Sequence, residues 1–186
     1  MLFTEKSVIE NLASKALGIR DYEVIIKSFN NTNIYKDVEF QKKYNSFYRV
    51  RRNKEWQIKY YKFFEENKSN KNISIEKIMR CLYVETGKVE LSFSSKMLAT
   101  INPKKPIFDS VLSDYTNLKL KQISNKDNKL KNAIELYYQL EEWYDEYIKT
   151  DKAEKMIEVF DSILPSFKWI EPIKKIDFII WGTYQT

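Results

Sequence analysis

Residues 129–149 read Lys-Leu-Lys-Asn-Ala-Ile-Glu-Leu-Tyr-Tyr-Gln-Leu-Glu-Glu-Trp-Tyr-Asp-Glu-Tyr-Ile-Lys. Ala133, Tyr137, Leu140, Tyr144 and Tyr147 recur at alternating spacings of four and three, and Ile134, Leu136 and Trp143 widen the same stripe. That is the period of an amphipathic helix, and no glycine or proline interrupts it. The stretch predicts a long aromatic helix docked on a core by one face.

The same reading extends outward in both directions. Toward the N-terminus, residues 4–18 predict a helix that Thr4 caps and Gly18 stops, with Val8, Ile9, Leu12, Ala13, Ala16 and Leu17 at helical spacing. Asp21 is placed to cap a second helix through Phe29. Residues 37–67 form the longest helical stretch, with a break allowed at Asn53. Further helices are predicted from Ser74 to about Val84, Ser92 to Ile101 and Asp109 to about Leu120. Beyond the aromatic helix, one more spans about 152–163. The tail ends in Ile176-Asp177-Phe178-Ile179-Ile180-Trp181, read as a docked terminal helix.

The chain has 186 residues with 3 Gly and 4 Pro, too few turn residues for a sandwich or barrel. Apolar residues make up 43% and aromatics 15%, enough for a substantial core at this length. The expected fold class is all-α: a single irregular multi-helix bundle of about eight helices over residues 1–186. A subdivision is allowed at the polar loop 67–72. At most a small β-hairpin is expected, near residues 82–93, where Leu82-Tyr83-Val84 and Val89-Glu90-Leu91 flank a turn containing Gly87.

Composition removes whole classes of chemistry. There is no histidine, which excludes Ser-His and Cys-His catalysis and imidazole metal sites. The single cysteine, Cys81, cannot form an internal disulfide or a structural zinc site, and its apolar neighbours suggest a buried, inert thiol. No metal or cofactor is expected. The opening Met1-Leu2-Phe3-Thr4-Glu5-Lys6 lacks a signal-peptide pattern, and no apolar run approaches the roughly 20 residues of a membrane span. A cytoplasmic protein without a membrane partner is therefore expected. The net charge of +6 permits nucleic-acid binding without requiring it.

One segment carries candidate chemistry. In Ser92-Phe93-Ser94-Ser95-Lys96-Met97-Leu98-Ala99-Thr100-Ile101, Phe93, Met97 and Ile101 define an apolar face, and Lys96 sits at its edge. An amine there can lose water and drop its pKa, as a Schiff-base lysine requires, or it can snorkel to solvent on an apolar stem. A proline-bracketed turn leads to Asp109, which can cap the next helix, assist chemistry, or both.

The order Ser-Ser-Lys, apolar helix, Pro-Ile-Phe-Asp-Ser-Val resembles the helix-hairpin-helix DNA glycosylases, especially the oxoguanine-type branch. The resemblance implies a glycosylase-like helical scaffold, DNA as partner and base-excision or lyase activity through a lysine Schiff base. It places the nucleophile on Lys96 and the assisting aspartate on Asp109. The chain departs from the pattern in two places: the glycine-rich hairpin is reduced to Thr86-Gly87-Lys88, and the lysine-to-aspartate interval is short. The tail is also similar to uncharacterised bacterial proteins ending in Lys-x-x-Asp-Phe-x-x-Trp, matched by Lys174, Asp177, Phe178 and Trp181.

Two other clusters bear on function. Tyr48, Arg49, Arg51, Arg52 and Trp56 interleave cations with aromatics, a pattern suited to phosphate contact and base stacking, or to a basic outer helix face. Glu142, Asp145 and Glu146 share a helix face that could attract a divalent cation but reads as a solvated acidic surface. The alternatives to an enzyme are a non-catalytic nucleic-acid-binding protein and a protein-interaction module on a glycosylase-like scaffold.

Overall fold

Thr4 takes the amide of Ser7 on its side chain, and Ser7 reciprocates to the Thr4 amide, so a capping box opens the first helix. The computed structural model describes residues 4–183; the leader reading that begins at Met1 falls partly outside them. Helix α1 runs Glu5–Phe29 without a stop at Gly18, correcting the expectation of two helices. The reason is tertiary: Val8, Leu12, Ile19, Tyr22, Ile25 and Phe29 continue one buried face through the glycine. Burying that stripe outweighs the roughly 1 kcal/mol that a mid-helix glycine costs.

The following helices are α2 (Val38–Tyr48), α3 (Lys54–Asn67), α4 (Ile75–Thr86), α5 (Leu91–Ile101), α6 (Ser110–Thr116), α7 (Lys126–Tyr147), α8 (Asp151–Ile163) and α9 (Pro172–Thr183), with a 3-10 turn at Pro165–Phe167. Side-chain caps explain most of the starts. Asp37, Asn53, Ser74, Asp109, Asn125 and Thr150 each accept from an amide in the first turn. The long 37–67 stretch divides where Arg49 takes a left-handed conformation and Asn53 caps anew. Helix α6 stops short of the expected Leu120 because Asn117 adopts φ 59°.

The architecture is all-α. No strand occurs among the described residues, so the expected hairpin at 82–93 does not form. Helix α4 instead continues to Thr86 and ends on Gly87 at φ 66°, which donates its amide to the Tyr83 carbonyl. Helix α5 starts four residues after Gly87.

Helix α1 packs on α2, α8 and α9; α4 packs on α3, α5 and α7; α6 packs on α9. Apolar residues on both sides of the 67–72 loop join one core. Every residue from Ile173 to Ile180 is buried, so α9 threads the interior rather than lying on it. Helix α7 docks through Leu130, Ala133, Ile134, Leu136, Tyr137, Leu140 and Tyr144, while Trp143 and Tyr147 are half-buried at the edge of its stripe. No helix of the described residues is long and apolar enough to cross a membrane.

Candidate functional site

Helix α5 is nearly all interior: Ser94, Ser95, Met97, Leu98, Ala99, Thr100 and Ile101 are buried. Its small residues let neighbouring chain come close. The segment before α6 does so, and Tyr137 holds its start by donating to the Pro106 carbonyl at 3.0 Å. Ser95 Oγ accepts from the Phe108 amide at 2.9 Å and donates to the Ser92 carbonyl at 3.0 Å. This buried bond joins the residue before Lys96 to the residue before Asp109. It fixes the register between the two candidate groups.

Lys96 is half-buried. Its Nζ donates to the Tyr48 carbonyl at 3.0 Å and lies 5.2 Å from the Phe93 ring centroid. The carbonyl belongs to the last residue of α2, so the ammonium also serves the negative end of that helix. Burial pulls the amine's pKa down to about 8; the Asp109 charge partly opposes this, and Arg49 and Lys174 push it lower.

Asp109 caps α6 by accepting from the Leu112 amide at 2.9 Å. Burial raises its carboxyl pKa against the Leu112 hydrogen bond and the charges of Lys96 and Lys174. The two groups therefore belong to one electrostatic site, each acting on the other, and both are displaced toward their neutral forms.

Beneath this site lies a pair not singled out for chemistry. Lys174 Nζ meets Asp177 Oδ2 at 2.5 Å with both side chains fully buried. Tyr144 donates to the other oxygen of Asp177. The ammonium also faces Trp181, 5.0 Å from the ring centroid, and Tyr22 at 6.0 Å. Burial raises the Asp177 pKa despite Lys174 and Tyr144, and the Asp109 charge adds to the rise. The sequence signal was there: Lys174 and Asp177 stand three apart, with Lys175 between them, in a run otherwise apolar from Ile173 to Trp181.

The basic cluster is only partly assembled. Arg49 and Arg51 are exposed. Arg52 is bound by both oxygens of Glu90, through Nε at 3.0 Å and Nη2 at 2.9 Å. Tyr48 and Trp56 are 3% and 5% exposed, packed against Tyr44 and Phe47 and against Tyr60 and Phe93. Their rings are occupied within the core and present no open face for a base, contrary to the stacking role expected for them. Glu142, Asp145 and Glu146 are exposed, and no group of acidic or cysteine side chains among the described residues is placed to hold a metal ion. Cys81 is half-buried rather than buried.

Compared with protein-family models, curated proteins and solved structures, the chain matches none significantly.

Proposed function

We propose that this is a DNA glycosylase-like protein with base-excision or lyase activity, in which Lys96 is the amine nucleophile and Asp109 its acid–base partner. The observation that supports the reading is that Lys96 on α5 and the Asp109 cap of α6 each follow one end of the buried Ser95–Phe108 hydrogen bond, and that each charge acts on the other. A lysine nucleophile must be neutral to attack. Half-burial beside Arg49 favours that form, with a pKa of about 8.

At an abasic site, the neutral amine adds to the open-chain sugar aldehyde at C1′. The carbinolamine then loses water to give an imine. In this reading Asp109 takes the ammonium proton beforehand and returns a proton to the departing oxygen. Exposed Arg49 and Arg51 would meet the flanking phosphates.

Borohydride reduction should trap a covalent protein–DNA adduct on a duplex containing an abasic site. Lys96→Gln should abolish trapping while retaining the circular dichroism of the parent. Asp109→Asn should keep the α6 cap, since asparagine caps as well as aspartate, and slow the reaction. Undiminished trapping by Lys96→Gln would refute the reading. Binding of duplex by a parent that never forms an adduct would favour the non-catalytic nucleic-acid-binding alternative, for which exposed Arg49 and Arg51 speak.

A further inference from the structure

A concavity of about 270 Å³ lies where the α4–α5 turn meets the start of α7. Arg52, Tyr83, Gly87, Lys88, Val89, Glu90, Lys126 and Lys129 line it. Four of these residues are cations and one is a carboxylate, and that carboxylate is already bound bidentately by Arg52. Lys88, Lys126 and Lys129 are exposed and lack an ion-pair partner among the described residues. The nearest opposing charge on α7, Asp127, accepts instead from the Tyr83 hydroxyl at 3.4 Å.

Three ammonium groups drawn from two elements to the lining of one hollow repel one another, the more so the closer they come. An anion seated among them reverses the sign. The hollow is smaller than pockets that enclose a whole organic ligand and suits a compact, multiply charged group. Helix α7 begins at Lys126, so its 22-residue dipole adds positive potential there.

We propose that this pocket is a phosphate-binding subsite in which Lys88, Lys126 and Lys129 seat one phosphoryl oxyanion, supplied by a nucleic-acid backbone or by a free phosphate. Arg52 Cζ and Lys96 Nζ lie 5.0 and 5.2 Å from the centroid of the same Phe93 ring. The subsite therefore adjoins the Lys96 amine across one aromatic side chain. A backbone phosphate held there would bring the neighbouring sugar toward α5. The anion affinity itself does not depend on the chemistry proposed for Lys96.

The test compares the parent, a Lys88→Gln/Lys126→Gln/Lys129→Gln variant, and a charge-matched control, Lys62→Gln/Lys155→Gln/Lys168→Gln. All six lysines are exposed, so the fold should survive, as circular dichroism will check. Binding of a labelled duplex is followed by fluorescence anisotropy over a range of salt, and inorganic pyrophosphate is titrated separately by calorimetry. The pocket variant should lose on the order of tenfold or more in duplex affinity at low salt, with a salt slope shallower by about 1. The control should stay within about threefold of the parent.

Pocket-dependent binding of pyrophosphate with no effect on duplex identifies the free anion as the source. Equal losses in pocket and control variants, or a parent that binds neither probe, overturn the proposal. Pocket-dependent binding with no borohydride adduct would sink the lyase reading alone. Adduct formation that persists unweakened in the pocket variant at sub-saturating duplex would sink the duplex-backbone source, leaving pyrophosphate to decide the pocket.

Discussion

Lys96 makes the protein's stability depend on alkaline pH in a way that can be isolated. Its amine falls from an ordinary 10.5 to about 8 because it is half-buried. At roughly 1.4 kcal/mol per pH unit, keeping it charged costs the folded state about 3 kcal/mol at neutral pH. Between about 8 and 10.5 the unfolded chain holds a proton that the folded chain has released, so the parent gains stability as pH rises through that window. Below about 8 the full penalty is present. Lys96→Met keeps an unbranched stem and removes the titration. Urea unfolding of both proteins at pH 7 and pH 10 should show the parent gaining about 2–3 kcal/mol relative to the variant, with the other titrating groups cancelling in the difference. The loss of the Tyr48 carbonyl bond shifts the variant by a nearly constant amount and leaves this pH dependence intact. A difference that is flat from pH 7 to 10 would refute the lowered amine pKa, and with it the reason for regarding Lys96 as a nucleophile.

Two further outcomes follow from packing. Gly18 has helical backbone, and a Cβ added there would meet Phe47 Cε2 at 3.9 Å, an ordinary contact, so Gly18→Ala should raise stability by about 0.5–1 kcal/mol in thermal or urea unfolding. Lys174→Met should destabilise by about 3–5 kcal/mol by leaving Asp177 charged and unpaired in the core, whereas Lys174→Met combined with Asp177→Leu should recover most of that loss. Equal destabilisation by the single and double variants would show that packing, not charge, dominates there.

The helices were legible where an apolar stripe and a capping residue agreed, as along α7 and at Asn53, Ser74 and Asp109. They were misread where tertiary contact overrode a local signal. Gly18 looks like a stop, yet the stripe from Leu12 to Ile19 and Tyr22 runs through it. The segments around Leu82 and Val89 have strand-like composition, but their side chains find partners across helices instead. Arg49 carries no mark of its left-handed conformation, which closes α2 through the Val50 amide bonding the Asn45 carbonyl at 2.9 Å and the burial of Val50. The burial of Tyr48 could have been read, since Phe40, Tyr44 and Tyr48 recur every four residues on one face, and Trp56 stands in the same relation to Tyr60 and Phe64. Interleaving with arginines drew attention to the wrong property of those rings. The electrostatic relation of Lys96 to Asp109 follows from a chain path pinned by a serine hydroxyl meeting a backbone amide 13 residues away. No periodicity encodes that contact.

Three lysines and two aspartates lie in or near the interior on α5, α6 and α9; Lys175 is paired with Asp161 of α8 at 2.6 Å, and the bonding of the other four separates their roles. Lys174 is locked against Asp177 at 2.5 Å, with Tyr144 on the second oxygen, and neither side chain touches solvent. An ammonium so held cannot turn toward a substrate without leaving a bare buried carboxylate, which is among the more costly changes a core can undergo. Lys96 is different. It is half-buried, its hydrogen-bond acceptor is a backbone carbonyl, and its charge feels Asp109 without a direct bond to it. The ordinary gap between a carboxyl near 3.8 and an amine near 10.5 is also narrowed from both sides, the carboxyl raised and the amine lowered to about 8. Proton exchange between two groups becomes easier as their affinities approach. Lys174 contributes to this without reacting, since its fixed charge disfavours a second ammonium nearby and so presses Lys96 toward the free amine. The buried pair on α9 is thus a fixed charge arrangement beside which Lys96 sits half-buried on a single backbone acceptor.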